Sequence, residues 1–199
     1  MRFEHLGASP RIHPTAVVAA TAVISGDVEI GPDCQILHGA VITAEGGAIT
    51  LGENVIVMEN ALIRATSTNP VHIGDHVLVG PMASLSGATV GDEVFLATGT
   101  RVFNGARIGA RSEVRINAVV HLRTVLPEET VVPIAWVAVG QPMQLLSPDR
   151  HEEIWAAQRE LDFPGYVFGL DRDTPDLMVQ LTERYGRGLS RHADDRQVD

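Results

Sequence analysis

The sequence predicts an all-β chain with a C-terminal helical extension: a parallel β-helix stacked from short repeated units. Three observations carry this. From residue 12 to residue 132 an aliphatic residue recurs every six positions, as in Ile12, Val18, Ile24, Ile30, Ile36 and Ile42, and again from Val90 through Leu96, Val102, Ile108, Val114, Val120 and Leu126 to Val132. Four residues after each stands a small or β-branched residue, such as Ala16, Ala22, Val28, Cys34 and Ala40. Neither the helical period nor simple alternation gives this spacing, whereas a repeated unit does. Finally, aromatics make up only 5% of 199 residues against a hydrophobic content of 45%, which suits a narrow prism packed from Ile, Val, Ala and Thr.

The elements follow in order. Residues 1–11 form an N-terminal cap. Residues 12–140 form the solenoid, in which three six-residue units make one triangular coil and coils stack at strand spacing, about 4.7–4.9 Å. The first face begins at Ile12, Ile30, Leu51, Ile73, Val90, Ile108 and Leu126, the second at Val18, Ile36, Val57, Val79, Leu96 and Val114, and the third at Ile24, Ile42, Ile63, Leu85, Val102 and Val120. Extra residues around Glu45-Gly46-Gly47 and around Thr66–Pro70, and one missing residue between Leu85 and Val90, mark corner loops. Corner glycines such as Gly31, Gly52 and Gly74 are expected to supply unusual backbone angles. Residues 141–188 form a helical extension. Ser147-Pro148-Asp149 reads as a capped helix start, Pro164-Gly165 as its end, and Thr174-Pro175-Asp176 as the start of a second helix. Residues 189–199 are polar and are expected to be disordered.

Composition excludes several roles. A net charge of −10 disfavours a nucleic-acid partner. No apolar run approaches the roughly 20 residues of a membrane span, and residues 1–10 lack a signal-peptide core, so a cytoplasmic protein is expected. The single cysteine, Cys34, falls in the small inward register and reads as a buried packing residue.

Units such as Ile30-Gly31-Pro32-Asp33-Cys34-Gln35 and Ile73-Gly74-Asp75-His76-Val77-Leu78 resemble the hexapeptide-repeat superfamily. That resemblance, and not the period itself, implies a left-handed helix. Within the superfamily, the stretch from Ile42 to Gly87, with both insertions and the shortened turn, resembles gamma-class carbonic anhydrases, as does Val137-Ala138-Val139-Gly140-Gln141-Pro142 before a helix. Residues 26–63 are also similar to the non-enzymatic hexapeptide-repeat subunits of dynactin.

The resemblance implies a homotrimer holding zinc with three histidines at the subunit interface. Those ligand positions fall on Arg64, Pro81 and Ser86, none of which replaces histidine, so no metal is expected there. The family's Arg-Gly-Asp turn falls on Thr43-Ala44-Glu45, leaving Glu45 as its only acid. Glu59 and Arg64 flank one corner and are expected to pair across the old zinc position. The eight histidines read as surface residues.

Three functions compete. The first is a catalytically silent trimeric scaffold or interaction subunit. The second is an acyltransferase using acyl-CoA, with His38 or His121 as general base. The third is binding of a small anion, a carboxylate, phosphate or bicarbonate, at Arg64, with Glu45, Glu59 and Ser86 around it.

Overall fold

The computed structural model describes residues 1–198. Its strands form three sheets, one per face, in which the solenoid strands run parallel, each carrying the aliphatic residue that the period marks. The first face has seven strands, from Arg11–Ile12 to Val125–Leu126, and the second also has seven, from Val17–Val18 to Val131–Val132. The third is a ten-stranded sheet that includes Val41–Glu45, Leu62–Thr66, Ser84–Ser86 and Val119–Val120.

Alternation along each strand explains the core. Successive side chains point to opposite sides, so Ile42, Ile63 and Leu85 stack inward at 0% exposure while Thr43, Arg64 and Ser86 point out. Cys34 is fully buried, and its Sγ donates to the Gly52 carbonyl at 3.1 Å.

The corner glycines serve a different purpose from the one expected. Gly31 has no left-handed φ; a Cβ there would lie 2.3 Å from the Gly52 carbonyl oxygen of the next coil. Glycine is needed because the two backbones touch. The left-handed positions fall two residues later, on Asp33 (φ 57°), Asn54 (φ 53°) and Glu93 (φ 58°). Both insertions lengthen the same corner, where Glu45 pairs in register with Thr66.

Antiparallel strands close both ends of the third face. Gln144–Leu146 pairs with Val137–Val139 at one end, and Arg196–Val198 pairs with Arg2–Glu4 at the other. The tail expected to be disordered is therefore ordered over residues 190–198: a 3-10 turn, Ser190–Asp194, leads into this strand. Its polar side chains find partners on the N-terminal segment, which no local pattern reveals.

The first helix, α1 (His151–Glu160), begins later than the sequence suggests. Ser147 makes a turn instead, its carbonyl accepting from the Arg150 N–H at 3.0 Å. Pro164-Gly165 does not end the helical segment but opens a π-helical turn, Pro164–Phe168, stopped by left-handed Gly169. The second helix, α2, spans Leu177–Leu189 and buries no residue. A small second core of Leu122, Val139, Leu146 and Leu161 holds α1 and the π turn against the solenoid. Among the described residues, no helix is long and apolar enough to cross a membrane.

Candidate functional site

The outward column of the third face carries Thr43, Arg64 and Ser86 in direct register, followed by Phe103 and His121 in the next two coils. The C-terminal segment lies over this column, and the two line a cavity of about 590 Å³ that is open to solvent on one side. Three arginines, Arg64, Arg184 and Arg191, reach its wall against one carboxylate, Glu45. The apolar side of the wall is aromatic: Phe163 meets Phe168, and Phe168 meets Tyr185, each edge-on at 5.7 Å between ring centres.

Arg64 is half-buried. Its Nη1 donates to the Tyr185 hydroxyl at 2.7 Å, while its Nε is buried with no partner. A buried cationic N–H left unpaired is costly, so this is a place where an acceptor is missing. Ser86 lines the same cavity. Glu45 turns toward the tail: both its oxygens accept from His192 Nε2, at 3.1 and 2.9 Å, and Oε1 also accepts from Thr43 Oγ1 at 3.1 Å.

The expected Glu59–Arg64 pair does not form. Glu59 is exposed at the corner before the strand, whereas Arg64 lies at the middle of the strand and is taken by Tyr185. Pro81 sits half-buried one coil from Glu59. His38 is exposed, its Nδ1 at 2.8 Å from Thr21 Oγ1. His121 departs from the surface reading: it is 6% exposed and stacked on Phe103, and its Nδ1 has no partner. Burial pushes its pKa down, favouring neutral imidazole. His38 follows the strand Gln35–Ile36 of the second face and His121 follows Val119–Val120 of the third, several coils further on, and the two share no site.

The zinc implied by the resemblance does not fit the residues at its positions. Arg64 presents a cation already bonded to Tyr185, Pro81 has no donor atom in its side chain, and a neutral Ser86 hydroxyl is a poor ligand. Sequence reasoning missed a different cluster beside Glu45. His5, only 2% exposed, stacks on His192 at 4.3 Å between ring centres, and the two Nδ1 atoms lie 2.5 and 2.8 Å from the two oxygens of Asp195. These residues come from opposite ends of the chain, so no spacing signal could reveal them.

Gamma carbonic anhydrase 1, mitochondrial, of Arabidopsis thaliana is 30% identical to this chain over 152 residues, 73% of this chain and 53% of the plant protein. This chain is a gamma-carbonic-anhydrase-like hexapeptide-repeat protein. It spans about half the length of that plant relative. The carboxysome assembly protein CcmM of Synechococcus elongatus is 31% identical over 187 residues, covering 88% of this chain and 32% of that protein. Among solved structures, a hexapeptide transferase family protein from Anaplasma phagocytophilum superposes with a TM-score of 0.51 at 22% identity, covering 92% of this chain and 95% of that one, a likeness of fold alone. No family model matches the chain.

Proposed function

We propose that this protein is a homotrimer that binds a small anion, a carboxylate or phosphate carried on a short apolar body, in the cavity over its third face, without zinc-dependent CO2 hydration. The observation behind this reading is the unpaired, buried Nε of Arg64 on an arginine-rich, aromatic wall. A guanidinium offers a fork of donors suited to carboxylate or phosphate oxygens. Arg64 occupies a former ligand position, so the anion would take the place that the metal holds in the enzymes.

Trimer formation is supported by the second face. Its outward residues include Val17, Ile56, Phe95 and Val131, between 36% and 57% exposed, with Leu37 and Met58 beside them. The first face presents Arg11, Glu29, His72 and Arg107 at equivalent places. Gln35 and Glu113 interrupt this column and Val125 stands exposed on the first, but the second face is the more apolar of the two, and such a face is what a copy of the same chain would cover.

Titration calorimetry with phosphate, bicarbonate and acetyl-CoA tests the reading. Binding of one of the simple anions that Arg64→Ala abolishes, with trimer mass retained, is the expected result. Unchanged affinity in Arg64→Ala ends the proposal. Binding of acetyl-CoA with acyl turnover that His121→Ala removes would establish the acyltransferase instead, and absence of any ligand would leave the scaffold role.

A further inference from the structure

We infer that His5, His192 and Asp195 form a binding site for one divalent transition-metal ion of the zinc type, oriented by Glu45 and separate from the family's zinc position. One donor atom from each of the three residues lies within 4.8 Å of the others. Both Nδ1 atoms converge on a single carboxylate, at 2.5 and 2.8 Å, and the rings are stacked 19° from parallel. Protons alone serve this arrangement badly. Two imidazolium rings at 4.3 Å repel each other, and if His5 is neutral and donates through Nδ1, its Nε2 is left as a buried acceptor with no partner. A dication taking both Nδ1 lone pairs and the Asp195 carboxylate, with the carboxylate drawn back to admit it, leaves both rings neutral, so that no two cations are stacked; His5 Nε2 has no partner with or without the ion.

The donor set fits the ion. Two imidazoles and a carboxylate are borderline nitrogen and oxygen ligands that suit zinc, cobalt or nickel better than calcium or magnesium. The outer shell is also in place. His192 Nε2 points at Glu45, which is itself held by Thr43 Oγ1. A carboxylate on the far nitrogen of a ligating histidine fixes its tautomer and raises its basicity. With Asp195 and Glu45 the site carries two negative charges against the ion.

The ligands belong to the two chain ends, and the strand Arg196–Val198 pairs with Arg2–Glu4 directly beside them. The site therefore exists only when both ends are docked, so that binding is coupled to that docking. The ion would act as a clip, fastening the tail across the base of the third face.

The test uses full-length protein without a histidine tag, stripped with chelator and titrated with Zn2+ by calorimetry. One Zn2+ per chain is expected. At about a hundredfold excess over Kd the melting temperature should rise by about 5–10 °C. His192→Ala and Asp195→Ala should each lose more than about a hundredfold in affinity, and Glu45→Gln about ten- to a hundredfold. Arg64→Ala should keep the metal, which separates this site from the anion cavity. Circular dichroism confirms that the variants fold, and the visible spectrum of Co2+ bound to the unmutated protein reports nitrogen and oxygen ligation in case one does not. A wild-type protein that binds no Zn2+, or His192→Ala and Asp195→Ala variants that bind it as tightly as wild type, overturns the inference.

Discussion

Replacing Gly31 by alanine tests the account of how the coils stack. A Cβ at Gly31 would sit 2.3 Å from the Gly52 oxygen and 2.7 Å from its carbonyl carbon, both backbone atoms that cannot swing away. Ordinary contact begins at 3.4 Å, so the two coils must part locally by about 1 Å. The hydrogen bond from Gly31 N to the Leu51 carbonyl, 3.0 Å in the structure, would stretch to roughly 4 Å and be lost. One broken buried hydrogen bond costs about 1–3 kcal/mol, and overpacking adds about 1–3 kcal/mol. The stiffer unfolded chain returns about 0.4–1 kcal/mol. The net, about 3 kcal/mol, corresponds to a melting temperature lower by about 6–12 °C for a chain of this size. Gly186→Ala is the internal control: it sits in α2 with nothing within 4 Å of the added Cβ, and removing a helical glycine contributes up to about 1 kcal/mol of stability. Thermal melts followed by circular dichroism compare the two. A Gly31→Ala protein melting within about 2 °C of wild type would refute the close-contact argument.

Three further outcomes follow from the structure. Phe95→Glu places a charge on the second face at a residue already 39% exposed, so the monomer fold should persist while light scattering reports loss of the proposed trimer; a stable trimer would move the interface to another face. In metal-free protein, docking of residues 190–198 should depend on pH in both directions. The His192 pKa is raised, first by its hydrogen bond to Asp195 and then by Glu45 against some desolvation, so its contribution is full below the ordinary histidine range and lost as pH rises through the raised value. Burial pulls Asp195 up, but hydrogen bonds from His192 and His5 outweigh it and hold the pKa low, so its contribution is lost only as pH falls through that lowered value. The groups facing His192 are therefore Asp195, Glu45 and His5, and amide exchange in the tail should be slowest between the two ranges; protection that stays flat as pH rises well above the histidine range would contradict this. Finally, Cys34 is fully buried and burial pushes its thiol pKa up, so it should react with thiol reagents only as the protein unfolds, and rapid labelling of the native protein would show that coil open.

The ladder of the solenoid was legible because an inward position such as Ile63 tolerates only a narrow set of shapes, and repetition makes that constraint visible. Outward residues obey no such rule. What Arg64 does depends on Tyr185, which follows it by 121 positions, and what Glu45 does depends on His192. Tyr185 lies on α2 and His192 in the turn Ser190–Asp194 after it, and no local spacing ties either to a partner so far back in the chain. Glycine at the corners is legible but its cause is not: Gly31 answers a contact from the next coil, which a one-dimensional reading of backbone preference misses. His5 and His121 looked like the surface histidines His38 and His151, and only their tertiary surroundings distinguish them.

The strict division between inward and outward columns has an evolutionary consequence. Arg64 stands between Ile63 and Ala65, both fully buried, and Ser86 follows fully buried Leu85. Selection on the spine therefore acts on one set of positions and selection on chemistry on another. A lineage can gain or discard ligands along a column without crossing a valley of unfolded intermediates. Placing three histidines on these outward positions through Arg64→His, Pro81→His and Ser86→His should accordingly leave the spine folded, since none of the three side chains belongs to the inward ladder.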